Sequence, residues 1–139
     1  MTGAGSGAGT ANGPRILLYS DDRTVREQVR LAVGPRLRAH APAIAWEEVA
    51  TAAAVVAAAD AEQWDLMVLD GEADKAGGMG LSRQLKNEVY ECPPVLLLTG
   101  RAEDAWLASW SLADAVVARP LDALTVQGAV AGLVTGASA

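Results

Sequence analysis

The stretch that most constrains this chain is Asp65-Leu-Met-Val-Leu-Asp70-Gly-Glu72: four apolar residues between two aspartates, with a glycine after the second. A short apolar run bounded by turn signals reads as a strand buried on both faces, as in a parallel sheet covered by helices. Asp70 then stands at the carboxyl end of that strand. In an open α/β sheet this edge is where ligands and chemistry gather. An aspartate after a strand is equally a helix cap or a turn residue. Its meaning therefore depends on what the rest of the chain brings to the same edge.

Four further apolar runs punctuate the sequence. Ile16–Tyr19 is stopped by Ser20-Asp21-Asp22, Ile44–Trp46 is short, Val95–Leu98 ends in Thr99-Gly100, and Ala115–Ala118 ends in Arg119-Pro120. Between them lie helical patterns. Val25, Val29, Ala32 and Val33 share one face of a helix over Thr24–Val33, which Gly34-Pro35 ends. An alanine-rich helix follows over Thr51–Asp60, a third over Leu81–Tyr90 with Leu81, Leu85 and Val89 in line, and a fourth over Glu103–Ser111. The last runs over Asp122–Val134, with Asp122 as its N-cap. Five strands alternating with five helices predict an α/β fold with a doubly wound parallel sheet and right-handed crossovers. Residues 1–14, rich in Gly and Ala and without charge, are expected to form a flexible tail. The folded unit is then 15–134, with a short C-terminal tail over 135–139 and no residues left for a second domain.

Composition excludes several classes. No stretch approaches the roughly 18 apolar residues that span a bilayer, and the N-terminus lacks the pattern of a secretory signal. The single cysteine, Cys92, has no partner for a disulfide or a zinc site. These features predict a cytoplasmic location without membrane insertion. The net charge of −6 argues against nucleic acid. Arg23, Arg26, Arg30, Arg36 and Arg38 form the one basic stretch, and it reads as a solvated helix flank. No GxGxxG or GxxxxGK[ST] loop follows the first strand, which argues against a nucleotide-binding enzyme.

The strand ends bring together Ser20, Asp21, Asp22, Asp70, Thr99 and Arg119. Carboxylates, a hydroxyl and a fixed cation in one shallow pocket suit a hard divalent ion such as Mg²⁺ and a phosphoryl group. This series resembles the receiver domain of two-component response regulators over essentially Arg15–Val134. RILLYSDDRTVR resembles the family's first strand and acidic turn, DLMVLD its phosphoacceptor strand, PPVLLLTGR its fourth strand, and ADAVVARPLD its fifth.

The resemblance implies a flavodoxin-like fold of strand order 2-1-3-4-5 and a non-enzymatic signalling role. It makes Asp70 the acceptor of a phosphoryl group from a histidine kinase. Thr99 and Arg119 become the phosphate-contacting hydroxyl and cation, with Asp21, Asp70 and Asp22 as metal ligands. It also implies a cis peptide before Pro120. The partner face is expected around the helix carrying Trp106 and Trp110, since tryptophan is enriched at interface hot spots.

The departures from the family pattern point the other way. Counted from Ile16, the first residue of the acidic pair is Ser20, and one fewer carboxylate weakens Mg²⁺ binding. Arg119 stands where the family has lysine, and its planar fork suits bidentate pairing with a carboxylate. A standing Arg119–Asp70 pair would fill the space that phosphate enters. Val116 takes the place of the switch aromatic. The loop after Asp70 has Asp74 where proline is usual and is longer before Gly80. Asp70 thus has two readings, phosphoacceptor or structural acid. Together the departures predict a stand-alone, pseudo-receiver-like module that works by protein–protein contact independently of phosphate, as a resident or regulatory subunit of a larger assembly. The alternative is a working single-domain receiver phosphorylated on Asp70.

Overall fold

The structure, a computed structural model, describes residues 13–72, 78–89, 91–101 and 110–135. In chain order the elements are β1 (Arg15–Tyr19), α1 (Arg23–Val33), β2 (Ala45–Val49), α2 (Ala52–Ala61), β3 (Leu66–Asp70), α3 (Gly78–Glu88), β4 (Val95–Thr99), β5 (Ala115–Ala118) and α4 (Ala123–Thr135). The strands form one parallel sheet in the order β2-β1-β3-β4-β5. The expected doubly wound flavodoxin-like topology is the one observed. The helix expected over Glu103–Ser111 lies outside the described residues except for Trp110 and Ser111.

β3 and β4 are buried along their whole length, and β1 from Ile16 onward, because alternate side chains feed two separate apolar layers. Ile16, Leu18, Leu66, Val68, Leu96, Leu98 and Val117 meet Val25, Val29 and Val33 of α1 and Val126 and Val130 of α4. From the opposite face, Leu17, Tyr19, Met67, Leu69, Val95 and Leu97 meet Val55 of α2, Leu81 and Leu85 of α3, and Trp64. Trp64 closes that layer with its Nε1–H donating to Ala58 O at 3.0 Å, while Arg15 lies over its ring.

Several boundaries differ from the sequence expectation. The second strand begins one residue after Ile44 and continues through Glu47-Glu48-Val49. Two adjacent glutamates break the apolar signal, yet an edge strand needs only one buried face and its ladder to β1. Helix α3 starts at Gly78, ahead of the first apolar periodic residue, and ends at Glu88 rather than Tyr90. Helix α1 is capped by Asp22, whose side chain accepts from Thr24 N. Asp122 caps α4 as expected, accepting from Thr125 N at 2.9 Å. No helix among the described residues is long and apolar enough to cross a membrane.

Candidate functional site at the carboxyl edge of the sheet

Parallel pairing sets Asp70 opposite Leu98 on β4, so that Thr99 lies one residue beyond it. Asp70 is 2% exposed. Its Oδ1 accepts from Arg119 Nη2 at 2.8 Å and from the Glu72 backbone N–H at 2.9 Å. Its Oδ2 accepts from the Ser20 hydroxyl at 2.8 Å. The carboxylate is therefore matched by a fixed cation and by donors on both oxygens. Charge-assisted bonds of this kind are about twice as strong as neutral ones.

Ser20 is fully buried and held from several sides. Its N–H donates to Val49 O at 3.3 Å, its Oγ accepts from Asp22 N at 3.0 Å, and its carbonyl accepts from Arg26 Nη1 at 2.5 Å. Arg26 is anchored in turn: its Nε donates to Glu48 Oε1 at 3.0 Å, and Arg30 Nη1 meets Glu48 Oε2 at 2.6 Å. Burial raises the pKa of Glu48, but the hydrogen bonds and charges of Arg30 and Arg26 outweigh it and hold the group below the usual carboxylate range.

The chain Arg30–Glu48–Arg26–Ser20–Asp70–Arg119 thus runs from the edge strand β2 across to β5. Glu48 and Arg30 escape a reading of the sequence because they lie off the strand-end pattern. The doublet Glu47-Glu48 at the end of a weak strand was the only signal.

The side chains of Thr99 and Asp22 are engaged elsewhere. Thr99 is fully buried, and its hydroxyl donates to Arg101 O at 3.2 Å, within the turn that leaves β4. Asp21 and Asp22 are exposed, and the Asp22 carboxylate is engaged as the α1 cap. Arg119 donates its backbone N–H to Thr99 O at 3.0 Å and precedes a cis peptide to Pro120, as the resemblance implied. Its Nε is buried without a hydrogen-bond partner among the described residues. Gly100 allows the Glu72 side chain to close over β4, since a Cβ there would sit 2.9 Å from Glu72 Cδ.

A Mg²⁺ ion needs several oxygen ligands with free lone pairs in near-octahedral array. Among the described residues, no group of three or more His, Cys, Asp or Glu side chains is placed to hold one. The donor set fits Mg²⁺ poorly for a specific reason. Asp70 already accepts three hydrogen bonds, and the neighbour just after β1, Ser20, is a hydroxyl donor rather than a second acid.

On the expected partner face, Trp110 is 49% exposed. Arg83 stacks 5.3 Å from its ring centroid and donates to its carbonyl at 2.6 Å. Trp106 lies outside the described residues.

Comparison with known proteins agrees with this fold. Two proteins of Mycobacterium tuberculosis, from strains CDC 1551 / Oshkosh and ATCC 25618 / H37Rv, carry the name uncharacterized response regulatory protein. Each is 48% identical to this chain over 119 residues, covering 86% of this chain and 90% of its own length. The chain belongs to the response-regulator receiver family. Its fold matches the receiver domain of the Francisella response regulator 1452 (TM-score 0.75, 16% identity, 90% of this chain and 99% of that one). It also matches the receiver domain of a signal transduction histidine kinase from Syntrophus aciditrophicus (TM-score 0.73, 22% identity, 89% and 92%). No protein-family model matches the chain.

Proposed function

We propose that this receiver domain is a non-enzymatic protein-binding module that works independently of phosphate, as a resident or regulatory subunit of a larger assembly. The observation that carries the reading is the full engagement of Asp70 by Arg119, Ser20 and the Glu72 N–H. Phosphoryl transfer to a carboxylate depends on positioning and on cations that neutralise the incoming oxygens. Here the cation is already bound to the would-be nucleophile. Before attacking, Oδ1 would have to shed Arg119, or Oδ2 the Ser20 hydroxyl, and either step strips a donor from a buried charge. The Thr99 hydroxyl would have to leave Arg101 O. We assign the partner face to the tryptophan pair Trp106 and Trp110, and the exposure of Trp110 supports that choice.

The competing reading is a working receiver in which Asp70 accepts phosphate from a histidine kinase, Thr99 and Arg119 contact it, and Mg²⁺ is held by Asp21, Asp70 and Asp22. Asp70 at the carboxyl end of β3, with Thr99 just beyond it on β4, favours that reading. Intact-protein mass after incubation with acetyl phosphate and Mg²⁺ decides between the two, with Asp70→Asn as control and rapid acidic work-up. The module reading expects no mass gain under conditions that modify an ordinary receiver. It also expects phosphorylation to emerge when Ser20→Asp and Arg119→Lys are combined. A single phosphoryl gain in the wild type, absent from the control, overturns it.

A further inference from the structure

We infer that Ser20 and Arg119 together replace the divalent cation at this site, and that Ser20 is the residue that keeps metal out. The inference rests on the phosphate-independent reading and extends it from the phosphoryl group to the metal. Asp70 Oδ2 is directed at the β1–α1 turn, and there it meets a hydrogen-bond donor. The Ser20 oxygen takes the Asp22 N–H, which leaves its own proton for Asp70. A cation at that place would have to displace this proton. It would also stand close to the Arg119 guanidinium on the same carboxylate, and two positive charges competing for one negative group repel each other.

The hydroxyl has little freedom to move aside. Its backbone is held through the carbonyl by Arg26, and Arg26 is held by Glu48. Arg26 and Glu48 are thus positioning residues for a hydroxyl that they do not touch.

Charge balance makes the inference specific to position 20. With serine there, the one buried carboxylate at this edge, Asp70, is paired with one guanidinium. An aspartate would place a second carboxylate beside Asp70, where Arg119 already serves Asp70 and Arg26 is already paired with Glu48. Two carboxylates sharing a site call for an added proton or cation. Ser20→Asp is therefore expected to create a Mg²⁺ requirement that the wild type lacks.

The test uses the full chain, wild type and Ser20→Asp, in EDTA, in Mg²⁺ and in NaCl at matched ionic strength. Thermal unfolding is read for each, and amide NMR line broadening is followed with stoichiometric Mn²⁺ as paramagnetic probe. The wild type is expected to unfold at one temperature in all three buffers and to show no broadening confined to the amides of Ser20, Asp70 and Glu72. Ser20→Asp is expected to melt lower in EDTA. Its midpoint should recover by about 5 °C when Mg²⁺ exceeds its Kd about tenfold, with Mn²⁺ broadening those amides. Site-confined broadening in the wild type overturns the inference, and that measurement stands even if Ser20→Asp fails to fold. Broadening in neither protein overturns the assignment to Ser20. Metal binding by the wild type without phosphorylation by acetyl phosphate would sink this inference and leave the module reading standing. Phosphorylation of the wild type would sink that reading itself.

Discussion

At the scale of single residues, the buried carboxylate of Asp70 sets the terms. Its charge is matched by one guanidinium and two neutral donors, so loss of the guanidinium leaves it unpaired in a site that water barely reaches. Arg119→Met is expected to lower unfolding stability by about 2–3 kcal/mol in urea titration, the range for losing a hydrogen bond to a buried charged group. Combining it with Asp70→Asn should recover part of that loss, because the double variant no longer buries a charge. Full additivity of the two would mean that the pair makes no energetic contact. Cys92 follows a simpler rule. Partial burial raises its thiol pKa, against the pull of Lys86, so it suits packing rather than nucleophilic chemistry at neutral pH.

At the scale of elements, the informative junction is between α1 and the edge strand β2. Glu48 accepts from Arg26 and Arg30, one turn apart on α1, and so ties the helix to the strand. Because its folded pKa is depressed, its contribution is present above the unfolded carboxylate value. It is lost as pH falls through the folded one. Glu48→Gln is therefore expected to cost about 1 kcal/mol at pH 7, since the pair is partly exposed, and nothing near pH 2. Thermal melts of both proteins across that interval check the sign, and a penalty that persisted in acid would count against the ionic origin. At the same junction the charges of Arg26 and Arg30 are both paired with Glu48.

At the scale of the whole molecule, one sheet separates two apolar layers, and each central strand belongs to both. Such an arrangement couples the α1/α4 side to the α2/α3 side through shared backbone. Leu97→Ala, a fully buried position on β4, is expected to cost about 2–5 kcal/mol and to shift the urea midpoint without changing the slope. A lower slope or two separate transitions would show that the layers unfold independently.

The sequence alone specified five strands, because unbroken runs such as Leu66–Leu69 and Val95–Leu98 can be satisfied only between two apolar layers. It also specified which side chains reach the carboxyl edge, since strand polarity follows from the alternation with helices. The family pattern marked Asp70, Thr99 and Arg119 for attention. Arginine at 119 also led to an expected pair with Asp70, which is present, whereas the donors that Ser20 and the Glu72 N–H give the same carboxylate emerged only from the tertiary structure.

Ser20 read in sequence as a missing acid, and in space it is a donor aimed at Asp70. Glu48 was invisible because its partners lie 18 and 22 residues away on another element. The cap fell to Asp22 rather than Asp21 because the turn geometry, which composition does not encode, chose between adjacent carboxylates. Periodicity reports which face of an element is buried. Hydrogen-bond partners depend on distances between elements, and those exist only once the chain has folded.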